Sequence, residues 1–248
     1  MTVAKDTKDR VLCISAHAAD FCVRAGGTLA RYSASGSPVR VVVVSPGARG
    51  ESNEFWKARQ GKTTEDEVAE VRRAEARAAA EILGVELVFY DYRDQPLTFD
   101  YERLMRLVRE IRTFRPRIII THPAKEPYNP DHTTTYEATM EAAYYTGLAG
   151  VEPDLPILPP TQIFACEPTQ PLTEMTGFAP DHYIDITDVM DVKMRATAEF
   201  RAQPYHVERY RTRSQQRGTQ AAYIAGDPGI KFAEAFQRLT PWEGRLFP

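Results

Sequence analysis

Four short β-branched runs, "RVLCISA" (10–16), "PVRVVVVS" (38–45), "VELVFYDYRD" (85–94) and "RIIITH" (117–122), alternate along the chain with segments of helical character. Between them stand "GGTLARYSASG" (26–36), a long helical pattern from about Thr64 to Leu83, and "DYERLMRLVREIRTFRP" (100–116), whose apolar positions Leu104, Leu107, Val108 and Ile111 share one helical face. Runs such as "VVVV" and "III" lack the in-out alternation of a strand wetted on one side, so helices must cover both faces of the sheet. The order βαβα predicts an α/β chain: a Rossmann-like three-layer fold with a mostly parallel central sheet. "VEPDLPILPPTQ" (151–162) breaks the alternation, but strand-like "QIFACE" and "DHYIDIT" follow it, so it reads as a long loop within one domain spanning 1–248. Two helices are expected to close the chain, one after Asp188 and one through "YHVERYRTRSQQRGTQAAYIA", whose charged run reads as a solvated face with arginines able to reach a neighbouring subunit.

Charge and cysteine usage narrow the function classes. Lys+Arg 31 against Asp+Glu 34 leaves a net charge of -3 with no long block of one sign, which excludes an electrostatic nucleic-acid footprint and favours a small-molecule ligand. Cys13, Cys22 and Cys166 are odd in number and form no C-x-x-C, as expected of a reducing compartment, the cytoplasm. The charged start "MTVAKDTKDR" and the lack of an apolar run near the roughly 18 residues of a membrane span argue against secretion and membrane insertion.

In open α/β sheets, ligands bind in the loops that leave the carboxyl ends of the strands. Three polar loops fall there: "HAAD" (17–20), "PGARGES" (46–52) and "THPAKEPYNPDH" (121–132). They can bring His17, Asp20 and His132 together, two imidazoles and a carboxylate, a set suited to catalytic Zn²⁺ and acceptable to Fe²⁺ or Co²⁺. Each residue also has a plainer reading. A strand-end histidine is more often structural, Glu51 sits where a first-turn acid favours a helix dipole, and Asn129 can simply cap the following helix.

"AHAADF" (16–21), "GGTLARYSASGSPVRVVVVSPGARGES" and "PDH" (130–132) together resemble the PIG-L/LmbE family of zinc-dependent N-deacetylases, from about Arg10 to Thr187. By that resemblance, His17, Asp20 and His132 match the metal ligands of its A-H-P-D-D-E and H-x-D-H motifs. The chain departs from the family at the general base, which is Ala19 here, at the glutamate, which is Phe21, and at the first histidine of the second motif, which is Asn129. These departures, with "ARGES", "EPYNPDH" and "EPTQP", are similar to the family's hydratase branch, the 4-oxalomesaconate (4-carboxy-2-hydroxymuconate) hydratases of aromatic catabolism. That branch carries a histidine where this chain has Thr169.

Amide hydrolysis needs a carboxylate shuttling protons beside a metal-activated water, and Ala19 cannot supply it. Hydration of an activated double bond needs activated water, cations for the substrate's carboxylates, and an acid. The resemblance thus implies Glu51 as the group acting on water and His182 as a replacement acid. Arg49, Lys125 and Tyr128, with Asn129 and Thr169, are the expected substrate contacts, and Asp131 is expected to orient His132 or His17. The expectation is a metal-dependent hydro-lyase on a small carboxylate substrate, working as a homo-oligomer. The alternatives are a zinc deacylase with Glu51 in place of the missing aspartate, and a metal-stabilised binding protein.

Overall fold

The computed structural model describes residues 8–169 and 173–241. Strands β1 (Val11–Ser15), β2 (Val39–Val43), β3 (Glu86–Phe89), β4 (Ile118–Thr121), β5 (Gln162–Cys166), β6 (His182–Asp185) and β7 (Ala233–Arg238) form one sheet in the order β3-β2-β1-β4-β5-β7-β6. The β1–β2, β2–β3, β1–β4 and β4–β5 pairings are parallel, while β7 runs antiparallel to both β5 and β6.

Helices α1 (Asp20–Ala34), α2 (Asn53–Ala58), α3 (Glu65–Leu83), α4 (Tyr101–Phe114), α5 (Pro130–Tyr145), α6 (Thr173–Thr176), α7 (Met190–Ala198) and α8 (His206–Ala225), with a short 3₁₀ turn (Thr187–Val189), complete the described elements. One apolar core joins α1 and α3 to the sheet through Phe21, Leu29, Val41, Ala76 and Leu83. The other lies on the opposite face, where Leu107, Val108 and Ile111 of α4 and Ala138 and Ala142 of α5 cover Leu12, Ile14, Val42 and Ile119. A three-layer α/β architecture results, and the inner parallel strands β1, β2 and β4 are covered on both sides as their unbroken apolar runs require. The start of α3 is fixed by a capping box between Thr64 and Glu67, and its end by Gly84 at φ 70°.

The chain visits β2 and β3 on one side of β1, then crosses to β4 and β5 on the other. The loops leaving β1 and β4 therefore part at a topological switch point, which opens a crevice at their carboxyl ends. No described helix is long and apolar enough to cross a membrane.

Two interior devices fasten the layers. Glu234 on β7 is buried, and its carboxylate accepts the backbone N–H groups of Gly27 and Thr28 at 2.9 and 2.8 Å while pairing with Lys193 of α7 at 2.7 Å. The helix approaches so closely that a Cβ at Gly27 would stand 2.7 Å from Ile186. Arg112 of α4, fully buried, donates to the carbonyls of Tyr145, Thr146, Leu148, Val151, Glu152 and Leu155, and so cages the end of α5 and the loop after it.

Three features correct the sequence reading. The first helix begins at Asp20 rather than at the glycine pair. A strand, β7, follows the two closing helices, and "AEAFQR" conceals it because Ala, Glu and Gln favour helix while only burial between β5 and β6 makes them a strand. The arginines of α8 do not all face solvent: Arg213 donates to the carbonyls of Pro168 and Thr169, and Arg217 pairs with Glu167.

Candidate metal centre

His17 leaves the end of β1, Asp20 opens α1, and His132 lies in the first turn of α5. All three are buried. His17 Nδ1 is 3.2 Å from His132 Nε2, and each lies 3.3 Å from Asp20 Oδ2. Three ligand atoms at about 2.0–2.1 Å from a tetrahedral metal are separated by about 3.3–3.4 Å, so this nearly equilateral triangle has the size of one face of such a site.

The far side of each imidazole is held by a carboxylate. His17 Nε2 faces Asp131 Oδ2 at 3.2 Å, and His132 Nδ1 faces Glu126 Oε2 at 2.9 Å. With those N–H groups donated outward, the two nitrogens that face each other present lone pairs, beside a carboxylate oxygen. A divalent cation satisfies all three at once, and the residues therefore fit a metal.

Against their burial, the neighbouring carboxylates raise both imidazoles, Asp131 and Asp20 at His17 and Asp20 at His132, so a cation bound here would take the place of a proton. Burial alone would raise the Asp20 carboxyl, but His132 and Arg24 outweigh it and hold it well below the usual carboxylate range. Glu126 is likewise lowered against its burial, chiefly by Arg24 and His132. Burial and the neighbouring His132 keep His122 well below the ordinary imidazole value. His122 accepts the Ala16 N–H on Nε2 at 2.9 Å and stacks on His132 with ring centroids 4.1 Å apart.

Glu51 enters from the loop after β2, with Oε1 3.7 Å from His17 Nδ1. Gly47 makes this possible, since at φ 74° it takes a conformation that disfavours side chains, and a Cβ there would meet Glu51 Cβ at 3.0 Å and His17 Cβ at 3.1 Å. Asn129 does not cap α5 with its side chain; its Nδ2 donates to Glu51 Oε1 at 2.7 Å, and its Oδ1 is buried without a partner among the described residues. Burial would raise the Glu51 carboxyl, but His17 foremost lowers it, so the group stands ionised. Ala19 is buried at the head of α1, where the family's aspartate would stand.

The remaining expected residues divide. Asp131 takes N–H groups from Gln95 and Leu97 besides His17, each backbone bond being 2.9 Å. Thr169 is committed to the buried frame: its N–H donates to Glu126 and its hydroxyl accepts from Arg24. Arg49 is exposed and donates from Nη1 to the Asp94 carbonyl at 3.1 Å. Lys125 and Tyr128 are exposed on the loop that carries His132.

His182 is a correction. It begins β6 at the opposite edge of the sheet, hydrogen-bonded to Asp181 at 2.7 Å and packed edge-on against Phe164, in the wall of a cavity of about 270 Å³ remote from the metal triangle. A side chain there cannot deliver a proton to the site.

Sequence reasoning missed Arg24, His122, Glu126, Gln203 and His206. Arg24 had a local signal, since it lies one turn after Asp20 on α1. His122 ends "RIIITH" and could have been found by the same strand-end rule as His17. His206, at the start of α8, is buried between Tyr205 and Tyr210, and burial lowers it to about 4.

The carboxylate behind His132 gives a direct test. Glu126→Gln weakens metal binding about 10- to 100-fold, the usual effect of removing such a partner, when competed against a chelator; unchanged affinity would remove Glu126 from the centre.

Residues 12–143 match the PIG-L family, described as GlcNAc-PI de-N-acetylase. The 4-oxalmesaconate hydratase of Pseudomonas putida KT2440 is 38% identical over 233 residues, 93% of this chain and 89% of that protein. The crystal structure of GalB, the 4-carboxy-2-hydroxymuconate hydratase of the same organism, matches with a TM-score of 0.91 at 37% identity, covering 97% of this chain and 100% of that one. Diacetylchitobiose deacetylase of Thermococcus kodakarensis is 30% identical over 202 residues, 78% of this chain and 70% of its own. Since the matched stretch holds the whole triangle of His17, Asp20 and His132 together with both carboxylates behind it, the chain belongs to the PIG-L family.

Proposed function

We propose that this chain is a metal-dependent hydratase, a hydro-lyase that adds water to an unsaturated polycarboxylate keto or enol acid of the 4-oxalmesaconate type. The observation that carries this reading is the exchange of one carboxylate for another: Ala19 leaves no acid beside the triangle on α1, while Glu51 brings one from a different loop. The likeness to the Pseudomonas putida hydratase, in sequence and in the GalB crystal structure, over nearly the whole chain supports it.

His17, Asp20 and His132 would hold the ion, with Zn²⁺ the first choice for this donor set and Fe²⁺ or Co²⁺ also suited. When bound, the ion makes a water acidic enough to lose a proton near neutral pH. Glu51 would take that proton as the carbon–oxygen bond forms and the carbon–carbon π bond opens, and would return it to the neighbouring carbon, so that one water adds across the double bond. Asn129 holds one oxygen of Glu51 and offers its own side-chain carbonyl, which has no partner among the described residues, to a hydroxyl of the water or substrate. Lys125 and Tyr128, exposed on the same loop, meet the substrate's carboxylates, and Arg49 joins them by releasing the Asp94 carbonyl.

The assay is loss of the conjugated chromophore of 4-carboxy-2-hydroxymuconate on incubation with metal-loaded protein. No loss above a metal-free control removes that substrate. Ala19→Asp separates this reading from a deacylase. A carboxylate restored beside Asp20 and Glu51 repels a polyanionic substrate and lowers hydration. In a deacylase the same change raises amide hydrolysis, because proton shuttling of this kind is worth about 10²–10⁴ in rate. Amine release from N-acetylated sugars by Ala19→Asp, with hydration unaffected, would overturn the hydratase.

A further inference from the structure

The structure assigns Gln203 to the site as a positioning residue that holds Glu51 beside the metal triangle and off it. The inference rests on the metal-dependent reading of that triangle and deepens it, for Gln203 lies in the turn between α7 and α8, far along the chain from every motif.

Gln203 is buried, and its Nε2 donates to Glu51 Oε2 at 2.9 Å. Which end of an amide points where is ordinarily ambiguous, but here chemistry decides it. Arg72 Nη2 lies 2.7 Å from Gln203 Oε1, and a guanidinium only donates, so the amide oxygen must face Arg72 and the NH₂ must face Glu51. Arg72 is fully buried and fixed in turn by Glu75 at 2.7 Å, whose other oxygen accepts the Ala202 N–H at 2.9 Å. The brace thus runs from the body of α3 through one amide to the carboxylate.

Asn129 takes the opposite oxygen, so two amides from distant segments clamp Glu51. The clamp matters because of where Glu51 stands. Its Oε1 is 3.7 Å from His17 Nδ1, only slightly beyond the 3.2 and 3.3 Å that separate the triangle's own atoms. A three-torsion side chain on a loop with glycines at 47 and 50 can cover that gap and become a ligand itself. As a ligand it would occupy the position that water needs. Holding it back keeps it a base.

The test is the metal affinity of Gln203→Leu, read by chelator competition in protein stripped and refilled with Zn²⁺. Freed from the brace, Glu51 joins the triangle and metal binding tightens by about 10-fold, while kcat for hydration falls by about 10- to 100-fold with little change in KM. Damage to packing moves affinity the other way, so tightening is specific to this role. In a Glu51→Gln background, Gln203→Leu leaves metal affinity unchanged. Gln203→Asn, which keeps the amide but withdraws it by one carbon, shows the same tightening should the leucine variant fold poorly. Affinity that is unchanged or weaker in both variants, or that shifts equally without Glu51, overturns the assignment. The affinity measurement needs no substrate, so a wild-type protein that fails to hydrate would sink the proposed reaction and still leave this result decisive.

Discussion

Glu51→Gln lowers kcat for hydration by about 10²- to 10⁴-fold, the range that a positioned general base typically supplies, with bound metal retained. The substitution keeps the side chain's size and accepts from Gln203 at its amide oxygen, while the NH₂ it gains meets Asn129 once that amide turns its carbonyl inward. It removes, among the described residues, the one carboxylate near the triangle that is neither a corner nor spent on an imidazole or on backbone N–H groups. Asp131 and Glu126 back the two histidines, and Asp94 accepts the N–H groups of Arg49 and Gly50. Initial rates over a range of substrate, with metal content measured on the same samples, decide it. A variant that keeps more than about a tenth of wild-type kcat would show that water is deprotonated elsewhere.

Arg112→Met destabilises the fold by at least about 4 kcal/mol, because hydrogen bonds from a charged donor are worth about 1.5–3 kcal/mol each and several are lost together. Every partner found for Arg112 is a backbone carbonyl, and these include Tyr145 and Thr146 at the negative end of the α5 dipole. Methionine fills much of the volume and satisfies none of those oxygens. For a chain of this size the loss corresponds to a fall in Tm of roughly 8–16 °C, measurable by calorimetry. A shift below about 3 °C would mean that water replaces the guanidinium at those carbonyls.

The parallel part of the sheet was legible because burial on both faces leaves unbroken β-branched runs, and the helical pattern read from about Thr64 to Leu83 matches α3 closely. His17, Asp20 and His132 were legible because two short motifs carry them at the ends of such strands. What the sequence hid was convergence. Glu126 looks like one more loop acid, and Gln203 like nothing at all, until folding lays them against His132 and Glu51. His182 misled for a related reason: "DHYIDIT" reads as a strand, but not which edge of the sheet the strand enters from. β7 was lost because its residues carry helical propensity and only its neighbours make it a strand.

Glu234 sets an order of assembly. Two N–H groups of the helix that starts with Asp20 are met by a side chain on a strand synthesised more than two hundred residues later. That strand is inserted between β5 and β6, so the sheet stays open until it arrives. Contacts of such sequence separation form late and slowly. The motif at the helix's head is therefore translated long before that helix is secured, and the frame around the triangle is complete only once β7 is in place.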